Sequence, residues 1–205
     1  MATNIHQNIF KIIIFILSLI PLGWLLFAIY SDTILGTKLM TADPIQKLDR
    51  ELGDWALIFI ILSLSIRPLA ELLKKNKLIA YRRMIGLFAF FYVCLHLISY
   101  IGLNLQFDFN ELISDIYKRN FITVGAIAFF GLIPLAVTSN KLMIKWIGGR
   151  NWKKLHNLIY PIALLGVFHF FMMVRADFSR PSIYLFIILI LLGYRIWIRR
   201  QKPIQ

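Results

Sequence analysis

The chain has one cysteine among its 205 residues, and only 16% of its residues are charged. A single cysteine excludes an internal disulfide and any CxxC or zinc-ligand motif. The sequence also contains no GxGxxG and no Walker phosphate loop, and Gly148-Gly149 before Arg150 is typical of a turn. These absences exclude a disulfide scaffold, a zinc module and a nucleotide-binding module. Because Cys94 lies inside an apolar run, we interpret it as a small apolar core residue.

The chain is rich in apolar residues. They make up 59% of the chain, whose mean hydropathy is +0.72. Soluble domains are far less apolar, so the composition indicates a membrane protein. Six apolar runs are each long enough to cross a bilayer core of about 30 Å as a helix. They cover roughly residues 10–30, 54–73, 82–103, 121–139, 155–174 and 181–198. The predicted fold is an all-α bundle of six transmembrane helices, formed by one domain over residues 1–205.

The first apolar run resembles a secretory signal peptide in its position only. Its apolar core is longer than that of a signal peptide, and the segment LFAIYSD lacks small residues at both positions that determine cleavage. We therefore expect it to be a retained membrane span.

The formal net charge of +13 follows membrane topology rather than a nucleic-acid surface. Basic residues dominate the segments between spans two and three, between spans four and five, and after span six. Segments 31–54 and 103–120 carry more acids than bases, and segment 175–180 has two bases against one acid. Because basic loops remain on the cytoplasmic side, both termini are predicted to be cytoplasmic. No nucleic-acid partner is expected.

The outer segment 103–120 predicts a short amphipathic helix at the membrane interface. Its apolar residues Leu112, Ile113, Ile116 and Tyr117 recur at helical spacing. We interpret this segment as an interfacial anchor, and a docking platform for a partner is the alternative.

Two histidines lie inside separate apolar runs at the same expected depth. His96 is 13 residues beyond Arg83, where span three enters from the cytoplasm, and His169 is 13 residues beyond His156 at the entry of span five. At about 1.5 Å per residue, each lies about 20 Å deep on parallel spans. A neutral imidazole is costly to bury in lipid without a partner, and two facing imidazoles are what bis-histidine heme ligation requires. The pattern favours His96 and His169 as axial ligands of one heme, with a hydrogen-bonding role as the alternative.

His156, at the mouth of span five, has three possible roles. The level residue on span three is Arg83, which cannot ligate iron but can pair with a heme propionate or a flavin phosphate. In a straight helix His156 and His169 point to different sides, although Pro161 can kink the span and change this offset. His156 is therefore a ligand of a second heme, a propionate partner, or a contact to a cofactor at the membrane surface.

Three segments resemble one known family. RRMIGLFAFFYVCLHLISY contains His96, WKKLHNLIYPIALLGVFHF contains His156 and His169, and GDWAL followed by LSLSIRPL lies in span two. They resemble the ferric-reductase-like transmembrane family, and within it the heme-binding membrane subunits of bacterial periplasmic methionine sulfoxide reductase systems. The resemblance covers essentially the whole chain.

The resemblance implies a protein of the bacterial inner membrane that binds heme b and FMN. The heme ligands of the family correspond to His96 and His169, and its third histidine corresponds to His156. Larger ferric reductases have a second histidine on span three, where this chain has Arg83. Such a protein passes electrons from the quinone pool, or from a cytoplasmic flavin reductase, to a soluble periplasmic molybdenum-containing methionine sulfoxide reductase. Because the partner carries out the reduction, no catalytic residue is expected on this chain.

A flavin phosphate or a heme propionate requires cationic donors on the inner side. The candidates there are Arg82, Arg83, Lys153 and Lys154. The topology of the chain explains the same charges equally well.

Three other functions fit parts of the sequence. A stand-alone b-type cytochrome would reduce metals or oxygen at its outer face without a partner. A small transporter predicts charged or broken helices at mid-membrane, whereas the span centres contain no titratable cluster apart from the histidines. A cofactor-free membrane scaffold predicts no visible absorbance. A self-sufficient NADPH oxidase is not expected, because the sequence contains no FAD- or NADPH-binding domain.

Overall fold

The computed structural model describes residues 2–201, and the regular structure in that range is entirely helical. Six of its helical stretches are long and apolar enough to cross a membrane, which confirms the predicted class and number of spans. The spans are Gln7–Leu35, Pro44–Leu72, Asn76–Asn104, Asn120–Val137, Gly149–Met173 and Ser179–Ile198. The protein is therefore an all-α, multi-pass membrane protein.

The spans and their connections are built from α-helices that we number in chain order. They are α1 (Ala2–Leu35), α2 (Pro44–Leu72), α3 (Arg82–Ser99), α4 (Phe109–Lys118), α5 (Asn120–Val137), α6 (Lys141–Ile147), α7 (Gly149–His156), α8 (Ile159–Met173) and α9 (Ser179–Gln201). A 3₁₀ segment, Asn76–Tyr81, precedes α3, and a π-helical turn, Tyr100–Asn104, follows it.

Successive spans run in opposite directions, so their connections fall on two sides of the bundle. We call the side with residues 36–43, 105–108 and 174–178 the acidic side, and the side with residues 73–81 and 138–148 the basic side. Side-chain pairs join the helices near each side. Arg180 of α9 contacts Asp54 of α2 at 2.8 Å towards the acidic side, and Arg195 of α9 donates to Asn157 at 2.8 Å towards the basic side.

The centre of the bundle is packed with aromatic rings from α2 and α3. Tyr92 has no exposed surface and stacks on Phe59 with ring centroids 5.2 Å apart. Phe88 also stacks on Phe59, at 5.8 Å. In contrast, α1 exposes many large apolar side chains between Ile9 and Leu35, as expected for a helix that faces lipid.

The helix α4 confirms the predicted short amphipathic helix on the acidic side. Asp108 caps it by accepting hydrogen bonds from two backbone N–H groups of the first turn. Leu112 and Ile116 are half-buried, whereas Ile113 and Tyr117 are exposed. These four residues fall within an arc of about 140°, so one edge of a single apolar face packs on the protein and the other edge faces outward.

Span five is interrupted between His156 and His169 by a two-residue turn, in the region where the sequence allowed a kink at Pro161. α7 ends at His156 and α8 begins at Ile159. Pro161 lies in the first turn of α8, where its missing N–H removes no hydrogen bond within the helix. The proline therefore begins a new helix instead of kinking an existing one. The angular offset expected between the two histidines on a straight helix does not apply.

Candidate functional site

His96 of α3 and His169 of α8 lie next to each other, as their equal depths predict. Their ring centroids are 6.3 Å apart and their planes are inclined by 76°. Histidine ligands lie about 2.0 Å from a metal, and a ring nitrogen lies about 1.2 Å from its centroid, so two imidazoles on opposite sides of one metal have centroids about 6.4 Å apart. The separation of the two rings therefore fits a single metal held between them.

Each of the two rings has one nitrogen fixed by a backbone carbonyl. Nδ1 of His96 lies 2.9 Å from the carbonyl oxygen of Asp49 in α2, and Nδ1 of His169 lies 2.7 Å from the carbonyl oxygen of Phe121 in α5. A carbonyl oxygen can only accept, so Nδ1 carries the proton in both rings and Nε2 of the neutral ring keeps its lone pair. Metal-binding histidines use this arrangement. Nε2 is therefore the nitrogen of each ring that remains available to bind a metal.

The other ligands must come from the metal group itself. Among the described residues, no group of three or more His, Cys, Asp or Glu side chains is placed to hold a metal ion. Two axial histidines alone suit an iron whose remaining ligands are supplied by a porphyrin. The donor set therefore fits heme better than a bare metal ion.

The histidine pair lies nearer to the acidic side than to the basic side. Asp49 is five residues from the start of α2, and Phe121 is one residue from the start of α5; both helices start on the acidic side. At about 1.5 Å per residue, the two anchoring carbonyls lie within about 8 Å of these helix ends. Along α3, His96 is 14 residues from Arg82, which corresponds to about 21 Å.

Two glycines approach the rings, and the sequence analysis missed both. A Cβ atom at Gly53 of α2 would lie 3.4 Å from Cε1 of His96, and one at Gly125 of α5 would lie 3.0 Å from Nδ1 of His169. Glycine is frequent in transmembrane helices, so its presence alone gives no signal. Each glycine lies four residues after the residue whose carbonyl anchors the histidine. This spacing can be recognised only when the hydrogen bonds are known.

His156 lies on the basic side in a different hydrogen-bond environment. Its Nε2 is 3.0 Å from Oγ1 of Thr138, whose hydroxyl is 2.6 Å from the carbonyl oxygen of Pro134. Because the hydroxyl proton goes to that carbonyl, Nε2 of His156 is the donor to Thr138. Trp152 covers the ring, with centroids 3.9 Å apart. His156 thus carries its proton on Nε2, whereas His96 and His169 carry theirs on Nδ1.

A cavity of about 140 Å³ lies beside His156. It is lined by Arg82, Trp152, Lys153, His156, Asn157, Tyr160 and Arg195. Three of these residues are cations, and they come from three different helices; no acid lines the cavity in the part of the chain that the structure describes. Pockets that hold whole small-molecule ligands measure about 300–1,000 Å³, so the size of this cavity suits an anionic group of a cofactor better than its entire ring system.

The structure separates the four predicted basic contacts into two pairs. Arg82 and Lys153 line the cavity, whereas Arg83 and Lys154 lie outside its lining; Arg82 is half-buried and the other three are exposed. The residue of α3 beside His156 is therefore Arg82, where the sequence analysis expected Arg83. Neighbouring residues differ by about 100° around a helix, so the two members of each pair point in different directions.

The sequence analysis did not single out Arg195, which it counted with the basic residues after the last span. Arg195 lies within α9, and its guanidinium carbon is 4.2 Å from the centroid of the Tyr160 ring. Such a cation–π contact is favourable where water is scarce. A single cation flanked by apolar residues on both sides was the available signal.

Comparisons with known proteins show the family of this chain. The model of the family described as ferric reductase like transmembrane component matches residues 52–167. The protein-methionine-sulfoxide reductase heme-binding subunit MsrQ of Rhodospirillum rubrum is 46% identical, over 94% of this chain and 90% of the relative. The MsrQ proteins of Caulobacter vibrioides and Herminiimonas arsenicoxydans are 44% and 43% identical, over 88% and 95% of this chain and 83% and 89% of their own lengths. The family model matches more than half of the chain, and each of these relatives aligns along most of its own length. The chain therefore belongs to the MsrQ family of ferric-reductase-like transmembrane proteins.

Proposed function

We propose that this protein is the heme-binding membrane subunit of a protein-methionine-sulfoxide reductase system and that it carries electrons across the bilayer. The observation that carries the proposal is the pair His96 and His169, with ring centroids 6.3 Å apart and each Nδ1 tied to a carbonyl. Membership of the MsrQ family supports the assignment to such a system.

His96 and His169 would hold heme b as its axial ligands. Bound there, the heme would supply a one-electron iron couple in the half of the bundle nearer to the acidic side. The carbonyls of Asp49 and Phe121 fix the ring tautomers and increase the basicity of Nε2.

We propose that the basic side faces the cytoplasm of a bacterial inner membrane and that both termini lie on that side. The charge distribution of the loops supports this orientation. The histidine pair then lies in the outer half of the membrane. Electrons would leave towards a soluble periplasmic partner, a molybdenum-containing methionine sulfoxide reductase subunit.

Electrons that enter from the basic side must first cross about 20 Å along α3, which is long for a single step. We propose that FMN shortens this path and that its phosphate binds in the cavity beside His156. Arg82, Lys153 and Arg195 supply the cationic lining that a phosphate requires. His156 is then a cofactor contact, because it lines this cavity and its Nε2 donates to Thr138. The quinone pool or a cytoplasmic flavin reductase would be the donor.

Electron transfer to the partner is testable in proteoliposomes. NADH and a flavin reductase are enclosed, the molybdenum-containing partner and a methionine sulfoxide substrate are added outside, and the methionine formed is measured. The wild-type protein should support methionine formation, and His169→Ala should abolish it. A heme-loaded wild-type protein that forms no methionine would contradict the proposal. Reduction of a ferric chelate at the same rate without the partner would favour the stand-alone cytochrome.

The flavin site has matched controls within the chain. Arg82→Gln and Lys153→Gln remove cations that line the cavity, whereas Arg83→Gln and Lys154→Gln remove the exposed neighbouring cations. The first two variants should lose FMN, measured as flavin released per heme after purification, and the two controls should retain it. Equal retention in all four variants would place the flavin elsewhere.

A further inference from the structure

Each of the two histidines donates to a backbone carbonyl that is followed, four residues later, by a glycine. His96 donates to the carbonyl of Asp49, and Gly53 follows four residues later on α2. His169 donates to the carbonyl of Phe121, and Gly125 follows four residues later on α5. The same spacing between carbonyl and glycine occurs on α2 and on α5. These helices are far apart in the chain, so local sequence similarity does not account for it.

The spacing of four residues has a direct physical meaning. In an α-helix the carbonyl of residue i bonds to the N–H of residue i+4, so the side chain of residue i+4 stands beside that carbonyl. A second donor can reach the carbonyl from the side only where this neighbouring side chain is small. Glycine leaves the most room, because it has no Cβ.

The distances show how closely each ring occupies that room. At Gly125, a Cβ would lie 3.0 Å from Nδ1 and 3.1 Å from Cε1 of His169, so the ring and an alanine cannot both keep their places. At Gly53, a Cβ would lie 3.4 Å from Cε1 and 3.5 Å from Nδ1 of His96, which is an ordinary van der Waals distance. Position 125 therefore tolerates a side chain less well than position 53.

We propose that Gly125, and to a smaller degree Gly53, are positioning residues for the imidazoles of His169 and His96. Each glycine keeps the carbonyl one turn earlier open to Nδ1–H, and this fixes the tautomer, the plane and the position of Nε2. The inference rests on the proposed function, since it assigns the glycines a role towards heme ligands. A hydrogen bond to the second nitrogen of a metal-binding imidazole tunes the basicity of the nitrogen that binds the metal.

The chain offers a matched control on the same helix. A Cβ at Gly131 of α5 would lie 3.0 Å from Cδ1 of Ile162 in α8, so Gly131→Ala disturbs the packing of α5 on α8 without touching a histidine. Gly193→Ala, where no atom lies within 4 Å of the added Cβ, controls for helix propensity.

The test compares the purified heme-loaded variants by visible and EPR spectroscopy, by redox titration and by exposure of the reduced protein to carbon monoxide. Gly125→Ala should displace His169, raise the midpoint potential and open a coordination position that binds carbon monoxide. Gly53→Ala should retain both ligands and change only the EPR g values. Gly131→Ala and Gly193→Ala should match the wild type. A Gly125→Ala variant with the spectra, potential and carbon monoxide response of Gly131→Ala would overturn the proposal.

A double-mutant cycle covers the case in which Gly125→Ala does not accumulate. In a His169→Ala background the added Cβ meets no ring, so Gly125→Ala should no longer destabilise the protein, whereas the effect of Gly131→Ala should persist. An equal loss of stability from Gly125→Ala in both backgrounds would overturn the proposal. This cycle requires no heme, so its result is distinct from a failure of the proposed function, which a heme-free wild-type protein would reveal.

Discussion

Replacing Tyr92 with phenylalanine should loosen α1 and leave the histidine pair intact. The Tyr92 hydroxyl donates to the carbonyl of Ser18 at 2.8 Å and accepts from the N–H of Leu22 at 3.2 Å. In an uninterrupted α-helix these two backbone groups bond to each other. The hydroxyl is therefore inserted into the hydrogen-bond ladder of α1 and ties this lipid-facing helix to α3.

The expected loss follows from the two hydrogen bonds. A hydrogen bond between helices in a membrane is worth about 0.6 kcal/mol on average, and a typical protein hydrogen bond is worth about 1 kcal/mol. Removing both bonds should lower the free energy of unfolding by about 1–2 kcal/mol. If Ser18 and Leu22 bond to each other in the variant, the loss falls at the lower end, because no backbone group is left unsatisfied in lipid. Stacking on Phe59 persists, since phenylalanine keeps the ring.

Unfolding by SDS in mixed micelles measures this free energy, and hydrogen–deuterium exchange reports on the amide of Leu22. The variant should be less stable and should exchange faster around Leu22, with an unchanged heme spectrum. Tyr117→Phe is the control, because Tyr117 is 83% exposed and its hydroxyl should contribute less than about 0.5 kcal/mol. Wild-type stability and wild-type protection in Tyr92→Phe would refute the reasoning.

Three further predictions concern other parts of the molecule. Arg180→Gln leaves the Asp54 carboxylate, which is 10% exposed, without its cation. The variant should lower the free energy of unfolding by about 1–3 kcal/mol, which is more than Asp54→Asn should lower it. Equal losses of the two variants in thermal or SDS unfolding would argue against the ion pair. His156→Ala should keep the visible heme spectrum and release FMN on purification, whereas loss of heme would identify His156 as a ligand. A fluorescent protein fused after the last residue should fluoresce, and alkaline phosphatase inserted in residues 105–108 should be active; the reverse pattern would invert the proposed topology.

The spans and the histidine pair are accessible from the sequence because the bilayer imposes simple rules. A spanning segment must be apolar, and it must satisfy its backbone hydrogen bonds internally, so length and hydropathy suffice to locate it. Depth then follows from counting residues at a constant rise. His96 and His169 meet in the structure because both counts start from the same side.

The remainder of the site depends on contacts that leave no mark in the sequence. A backbone carbonyl is the same at every residue, so the anchoring roles of Asp49 and Phe121 emerge only from the packing of the helices. The choice of Arg82 over Arg83 depends on the rotation of α3, which begins directly after a 3₁₀ segment. The turn between α7 and α8 was also hidden, because Pro161 is compatible with a kink and with a new first turn.

The reduced-minus-oxidised visible spectrum of detergent-purified protein tests the central claim most directly. The wild type is measured beside His96→Ala and His169→Ala, all expressed with an adequate supply of heme. The account predicts sharp low-spin b-type bands in the wild type and their absence in both variants. A wild-type protein without heme, or bands that survive either substitution, would contradict it.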